Sequence, residues 1–125
     1  MPDTNFNEYV DRITRTVQQC MFSGLAIQHD LQVDRRSSLR GFISGSLTFK
    51  DGSELHFREF IDLNRFEPRI KYAYHYQAQD SSIVFRYDNA AHKPALPQAE
   101  HKHTIHGVEL SDVPTLEQVL DEITG

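Results

Sequence analysis

The chain has 125 residues, a net charge of -5 and a single cysteine, Cys20. This length predicts one domain, residues 1–125, that can bury a hydrophobic core. No apolar run approaches the roughly 18 residues of a membrane-spanning helix, and a single cysteine excludes an intramolecular disulfide. We therefore expect a cytoplasmic protein that does not contact a membrane.

Charge is distributed unevenly along the chain. Residues 35–87 carry nine basic and six acidic side chains, whereas residues 1–34 and 88–125 have net charges of -3 and -5. A locally basic surface can attract phosphate groups although the whole chain is acidic. The middle segment is therefore the candidate for nucleic-acid binding, and the alternative is an ordinary solvated face.

The N-terminal segment predicts an α-helix. Apolar residues such as Ile13 and Val17 recur there at steps of three and four, which places them on one face. Asp3 or Thr4 could cap the start of this helix, and Gly24 would end it.

Alternating apolar residues then predict a strand over residues 25–33, followed by a hairpin whose register can be worked out. A three-residue loop over residues 50–52, with Gly52 left-handed, satisfies both the turn chemistry and the hydrophobic alternation. The predicted cross-strand pairs are Leu47–Leu55, Ile43–Glu59, Ser44–Arg58, Phe42–Phe60 and Arg40–Asp62.

A second hairpin is predicted from residues 69–78 and 82–88, where tyrosines and other aromatic residues occupy alternate positions. A turn centred on Gln79 and Asp80 keeps these aromatic residues on one face and sets His75 diagonal to Arg86 on the other. The predicted pairs are Tyr76–Ile83, Tyr74–Phe85, Ala73–Arg86 and Lys71–Asp88.

The remaining chain is predicted as a loop over residues 89–106 and a C-terminal helix. Pro114 lies near the first turn of this helix, and Leu116, Val119, Leu120 and Ile123 form its apolar stripe. The predicted fold is α+β: an N-terminal helix, an antiparallel meander sheet of about five strands and a C-terminal helix, in two layers.

The polar face of this sheet collects basic side chains. If both hairpins present that face to the same side, Phe42 and Phe60 are available there for stacking on bases. The alternative is that the C-terminal helix covers this face and each arginine is paired with an acid. The basic residues assigned to the face are Arg40, His56, Arg58, Arg69, Lys71, His75 and Arg86.

Four sequence strings resemble the TumE-type family of small bacterial toxins. They are residues 51–55 (DGSEL), 72–77 (YAYHYQ), 85–90 (FRYDNA) and 101–103 (HKH), and the resemblance covers roughly residues 25–104. The chain departs from the family pattern at Lys93, where members usually carry a histidine. The resemblance implies the toxin component of a toxin–antitoxin pair, with a helix-turn-helix antitoxin as partner.

Metal-independent cleavage of RNA is the first functional hypothesis. RNA carries its own nucleophile, the 2′-hydroxyl, so the protein supplies a base, an acid and positive charge at the phosphate. No cofactor or metal is required, and none is predicted. The candidate catalytic residues are His75, Arg86, His92, His101 and His103, and the candidate RNA-binding residues are Arg40, Arg58, Lys71 and Lys102.

Two alternatives stay open. One is a histidine-rich metal site built from His92, His101 and His103 with His106 or Asp88, although no CxxC or HExxH spacing supports it. The other is a non-enzymatic protein that inhibits a cellular target by contact or simply pairs with an antitoxin. The sequence has no GxGxxG, P-loop or serine elbow, so other classes of small-molecule enzyme lack support.

Overall fold

The computed structural model describes residues 3–90 and 100–125. Within these residues seven antiparallel strands follow one another in chain order, so the sheet is a meander flanked by two helices. The predicted α+β class is confirmed, with seven strands rather than about five. The elements are α1 Phe6–Phe22, β1 Ala26–Arg35, β2 Arg40–Phe49, β3 Glu54–Asp62, β4 Arg69–Gln77, β5 Ile83–Asp88, β6 His101–Thr104, β7 Gly107–Leu110 and α2 Leu116–Thr124.

Local hydrogen bonds set the ends of α1. Asn5 is the N-cap, because its Oδ1 accepts a hydrogen bond of 2.9 Å from the backbone N–H of Glu8. The sequence had predicted Asp3 or Thr4 as the cap, and this prediction is wrong. Gly24 follows the last turn with a φ of +78°, in the left-handed region that glycine reaches without steric cost.

The β2–β3 hairpin has the predicted register. Gly52 has a φ of +83°, and its backbone N–H donates to the carbonyl of Phe49 at 3.0 Å, which closes the three-residue loop. All five predicted pairs are observed: Leu47–Leu55, Ile43–Glu59, Ser44–Arg58, Phe42–Phe60 and Arg40–Asp62.

The β4–β5 hairpin differs from the prediction by two residues. Ala73 lies opposite Asp88 rather than Arg86, and the predicted Lys71–Asp88 pair is wrong. A shift in pairing at the end of β4 contributes to this difference, and each side chain keeps its predicted face because a strand has a period of two. As a result, His75 lies directly opposite Arg86 instead of diagonal to it.

Both helices pack on the same face of the sheet. The core joins Ile13 and Val17 of α1 and Val119 of α2 to strand residues such as Leu47 and Tyr74. We call the opposite face, which neither helix covers, the polar face. The alternative in which the C-terminal helix covers it is wrong. Neither helix is long and apolar enough to cross a membrane.

Arg69 lies on the helix side of the sheet, not on the polar face as predicted. The pairing of β3 with β4 shifts between Phe60 and Ile61, so Arg69 comes to lie opposite Ile61 while Lys71 stays opposite Phe60. The Arg69 side chain is only 9% exposed and donates a hydrogen bond of 3.1 Å to the hydroxyl of Tyr74.

A buried carboxyl group, Glu59, lies beneath α1. Its side chain is opposite Ile43, as predicted, and the residue is 1% exposed. Tyr9 of α1 donates a hydrogen bond to Oε1, whereas Oε2 has no partner among the described residues. Burial raises the pKa of Glu59, and this effect outweighs the hydrogen bond from Tyr9 and the positive charge of Arg69, which both lower it.

Candidate active site on the polar sheet face

Four side chains with acid–base or phosphate-binding chemistry form one row across the polar face. His56 of β3 is opposite His75 of β4, His75 is opposite Arg86 of β5, and Arg86 is opposite His103 of β6. Directly opposed residues in antiparallel strands have Cβ atoms about 4.5–5.5 Å apart. The row therefore places a histidine on each side of Arg86, within reach of one small group bound above it.

A second row runs beside the first and contains the buried carboxylate of Asp88. Its Oδ2 accepts a hydrogen bond of 2.7 Å from Nε of Arg86, and its Oδ1 lies 2.7 Å from Nε2 of His101. Nε2 of His103 lies 3.9 Å from the same carboxylate. Asp88 and His101 are 5% and 2% exposed, so this carboxylate fixes the position of Arg86 from below.

The hydrogen bonds around His75 define which of its ring nitrogens carries the proton. Nε2 of Gln77 donates to Oε2 of Glu54 at 3.1 Å, so the Oε1 of Gln77 is the acceptor for Nε2 of His75, also at 3.1 Å. His75 Nδ1 then carries the lone pair, and it is buried without a partner among the described residues. Burial, followed by the positive charge of Arg86, lowers the pKa of His75 below its ordinary value of 6.5.

Two depressions on the polar face meet at Arg58 and Arg86. The first, of about 340 Å³, lies over Ala73 and is bordered by His56 and His75. The second, of about 530 Å³, extends towards the other end of the strands and is lined by Phe42, Arg58, Phe60, Lys71, Arg86, Asp88 and Asn89. An extended polyanion crossing this face would therefore pass between two arginines.

The predicted RNA-binding residues fall on both sides of the sheet. Arg58 and Lys71 are exposed on the polar face, and Arg40 lies at its end, 3.8 Å from Asp62. Lys102 projects to the helix side, where its Nζ lies 2.8 Å from Glu122 of α2. Lys102 therefore does not contribute to this site.

The predicted catalytic residues are largely brought together. His75, Arg86, His101 and His103 all lie on the polar face, whereas His92 lies outside the described residues. His56 and Asp88 were not among the predicted catalytic residues. The alternation of residues along the strand already predicted that His56 lies on the same face as Arg58, so the sequence contained the information needed to include His56 in the site.

One group on this face has the composition of a metal site. Asp88, His101 and His103 place one ligand atom each within 4.8 Å of one another. However, Arg86 donates to this same carboxylate at 2.7 Å, and its guanidinium would repel a divalent cation bound there. Among the described residues the carboxylate is thus already engaged by a cation of the protein itself.

These features define a small α+β protein whose polar sheet face combines histidines, arginines and a buried aspartate. A family model described as Toxin TumE matches residues 13–125. The chain therefore belongs to the TumE toxin family, as the sequence strings predicted, and is the toxin component of a toxin–antitoxin pair with an antitoxin as its partner. Comparisons with curated proteins and with solved structures found no match.

Proposed function

We propose that this toxin is a metal-independent endoribonuclease whose active site is the polar face. The observation that carries the proposal is the row in which His75 and His103 flank Arg86 on adjacent strands. Cleavage of RNA through its 2′-hydroxyl needs a base, an acid and positive charge at the phosphorus, and these three side chains supply them.

His75 is the general base of the proposed reaction. Nδ1 is buried in this structure, so the proposal requires the side chains around it to move aside when RNA binds. Its lone pair then accepts the proton of the 2′-hydroxyl while that oxygen attacks the adjacent phosphorus. A pKa below the ordinary histidine value keeps this nitrogen unprotonated at neutral pH. The orientation of the ring is held through Gln77, which is in turn held by Glu54.

Arg86 binds the phosphate and His103 completes the cleavage. Nε of Arg86 is held by Asp88, so its two terminal nitrogens are oriented for the non-bridging oxygens of a phosphate. As the bond from phosphorus to the 5′-oxygen breaks, protonated His103 gives its proton to that oxygen. The products are a 2′,3′-cyclic phosphate and a free 5′-hydroxyl.

The remaining residues support this reaction. His101 positions Asp88 from the buried side, at 2.7 Å, and the exposed side chains of Arg58, Lys71 and Arg40 attract the neighbouring phosphates. His92 remains a proposed catalytic residue from the sequence alone. We further propose that the antitoxin partner is of the helix-turn-helix type, as the sequence resemblance implies, and that the pair acts in the cytoplasm, where RNA is present.

Expression of the toxin without its antitoxin is expected to arrest bacterial growth and to fragment RNA. The fragments should carry 5′-hydroxyl ends, and a single 2′-deoxy nucleotide at the cleaved position should abolish cleavage of a synthetic RNA. Normal growth at good expression would contradict the toxin assignment. Growth arrest with intact RNA would replace the ribonuclease by the alternative, a protein that inhibits its target by contact.

Cleavage is expected to proceed at an unchanged rate in EDTA, because the row supplies the base, the acid and the positive charge without a metal. Elemental analysis of the purified protein should find far less than one metal ion per chain. Stoichiometric zinc that is lost together with activity would show instead that the group of Asp88, His101 and His103 holds a metal.

A further inference from the structure

We propose that Phe60 and Phe42 form a nucleobase subsite beside the phosphate-binding arginines, so that the toxin acts on single-stranded RNA with an unstacked base. This inference rests on the proposed function, since the subsite serves the RNA that is cleaved. Phe60 is opposite both Phe42 and Lys71 on the polar face, and it is 42% exposed. A large exposed aromatic ring beside cationic side chains is what binding of single strands requires.

The geometry of the aromatic pair fits a base. The ring centroids of Phe42 and Phe60 lie 5.0 Å apart with their planes inclined at 55°, so the two rings form a tilted ledge. The depression above it has a volume of about 530 Å³, within the range of small-ligand sites. Asn89 also lines this depression, and its side chain is held in place by hydrogen bonds with the backbone of Tyr72 and of Ile70 at 3.1 and 2.9 Å.

The positive charge of the side chains that line this depression favours a nucleotide as the ligand. Arg58, Lys71 and Arg86 line the same depression, and the carboxylate that also lines it, Asp88, is engaged by Arg86. A phosphate between Arg58 and Arg86 would leave the adjacent base over Phe60. Bases within a duplex are stacked on their neighbours and cannot occupy such a ledge, so the preferred substrate is single-stranded.

The chain contains no tryptophan, which permits a direct test. Phe60→Trp introduces a single reporter on the ledge, and its fluorescence should be quenched by an uncleavable 2′-O-methyl oligonucleotide but not by the same oligonucleotide made abasic. Phe22→Trp is the matched control. Phe22 is 90% exposed at the end of α1, on the helix side, and its reporter should not respond.

Phe60→Ala should weaken binding of the base-bearing oligonucleotide by about 5- to 150-fold and leave binding of the abasic one unchanged. Equal affinities of Phe60→Ala and the parent, or unquenched Phe60→Trp at saturation, would overturn the subsite. RNA cleavage measured in parallel separates the two proposals. Quenching without any cleavage would contradict the ribonuclease alone, whereas cleavage unaffected by Phe60→Ala would contradict the subsite alone.

Discussion

Replacing His75 by alanine is expected to lower the rate of RNA cleavage by about 10²–10⁴-fold, the usual contribution of a positioned acid or base. His75→Ala removes the buried Nδ1 lone pair, and the fold should persist because the side chain lies on the polar face and not in the core. His29→Ala is the matched control. His29 is an exposed strand histidine on the helix side, opposite Leu47, and its loss should not change the rate.

The pH dependence distinguishes a catalytic role from a structural one. Because burial and Arg86 lower the pKa of His75, this base is protonated and inactive only below the ordinary histidine range, so the acid limb of kcat/KM should lie at lower pH than for an ordinary histidine. The residual activity of His75→Ala should lack this acid limb. If His75→Ala were as toxic as the parent, the base would lie elsewhere, and if toxicity were lost only through unfolding, His75 would be structural.

Arg86→Lys is expected to fail although it conserves the charge. The guanidinium of Arg86 donates to Asp88 through Nε and presents two further nitrogens to a phosphate. A lysine has a single nitrogen, so it cannot make both contacts in this way. The same substitution at exposed Arg15 of α1, on the helix side, should be without effect. Full toxicity of Arg86→Lys would exclude a two-pronged contact with phosphate.

The sequence predicted the β2–β3 hairpin correctly because two independent signals agree there. Gly52 supplies the left-handed residue that the loop needs. The alternation of apolar residues then favours the register of a three-residue loop over that of a two-residue loop, which would place apolar residues opposite polar ones. No such glycine occurs in residues 78–82, where Ser81 adopts a φ of +69°. Alternation alone fixes a register only to within two residues, and a shift in pairing between Tyr76 and Gln77 adds to the difference.

This ambiguity matters most at the candidate site. The faces of His75 and Arg86 follow from alternation, but their direct opposition depends on a turn that the sequence does not specify. His101 and His103 were assigned to a loop because their strand has only four residues, all polar, and so shows no alternation of apolar and polar residues. The position of Arg69 depends on another shift in pairing, between Phe60 and Ile61, which also leaves no pattern in the sequence.

Tyr9→Phe is expected to destabilise the protein markedly, although it removes only one oxygen atom. Tyr9 donates to Oε1 of a buried carboxyl group whose Oε2 has no partner among the described residues, so Tyr9→Phe removes the hydrogen bond that satisfies Oε1. Such a loss costs about 1–3 kcal/mol of the free energy of unfolding. Tyr87→Phe is the matched control, because the hydroxyl of Tyr87 also donates to a glutamate, Glu122, at 2.5 Å. This hydrogen bond lies at an exposed site, so its loss should lower the free energy of unfolding by at most about 1 kcal/mol.

The effect of Tyr9→Phe should also grow with pH. Burial raises the pKa of Glu59 above its ordinary value of 4.5, so its stabilising contribution is complete below the unfolded pKa and is lost as the pH rises through the folded one. The hydrogen bond from Tyr9 lowers this folded pKa, and removing it extends the loss to higher pH. Urea denaturation over a series of pH values should therefore show a difference between parent and Tyr9→Phe that grows once the pH exceeds the folded pKa of Glu59 in the parent. A difference no larger than that of Tyr87→Phe at every pH would mean that the hydrogen bond from Tyr9 does not stabilise buried Glu59.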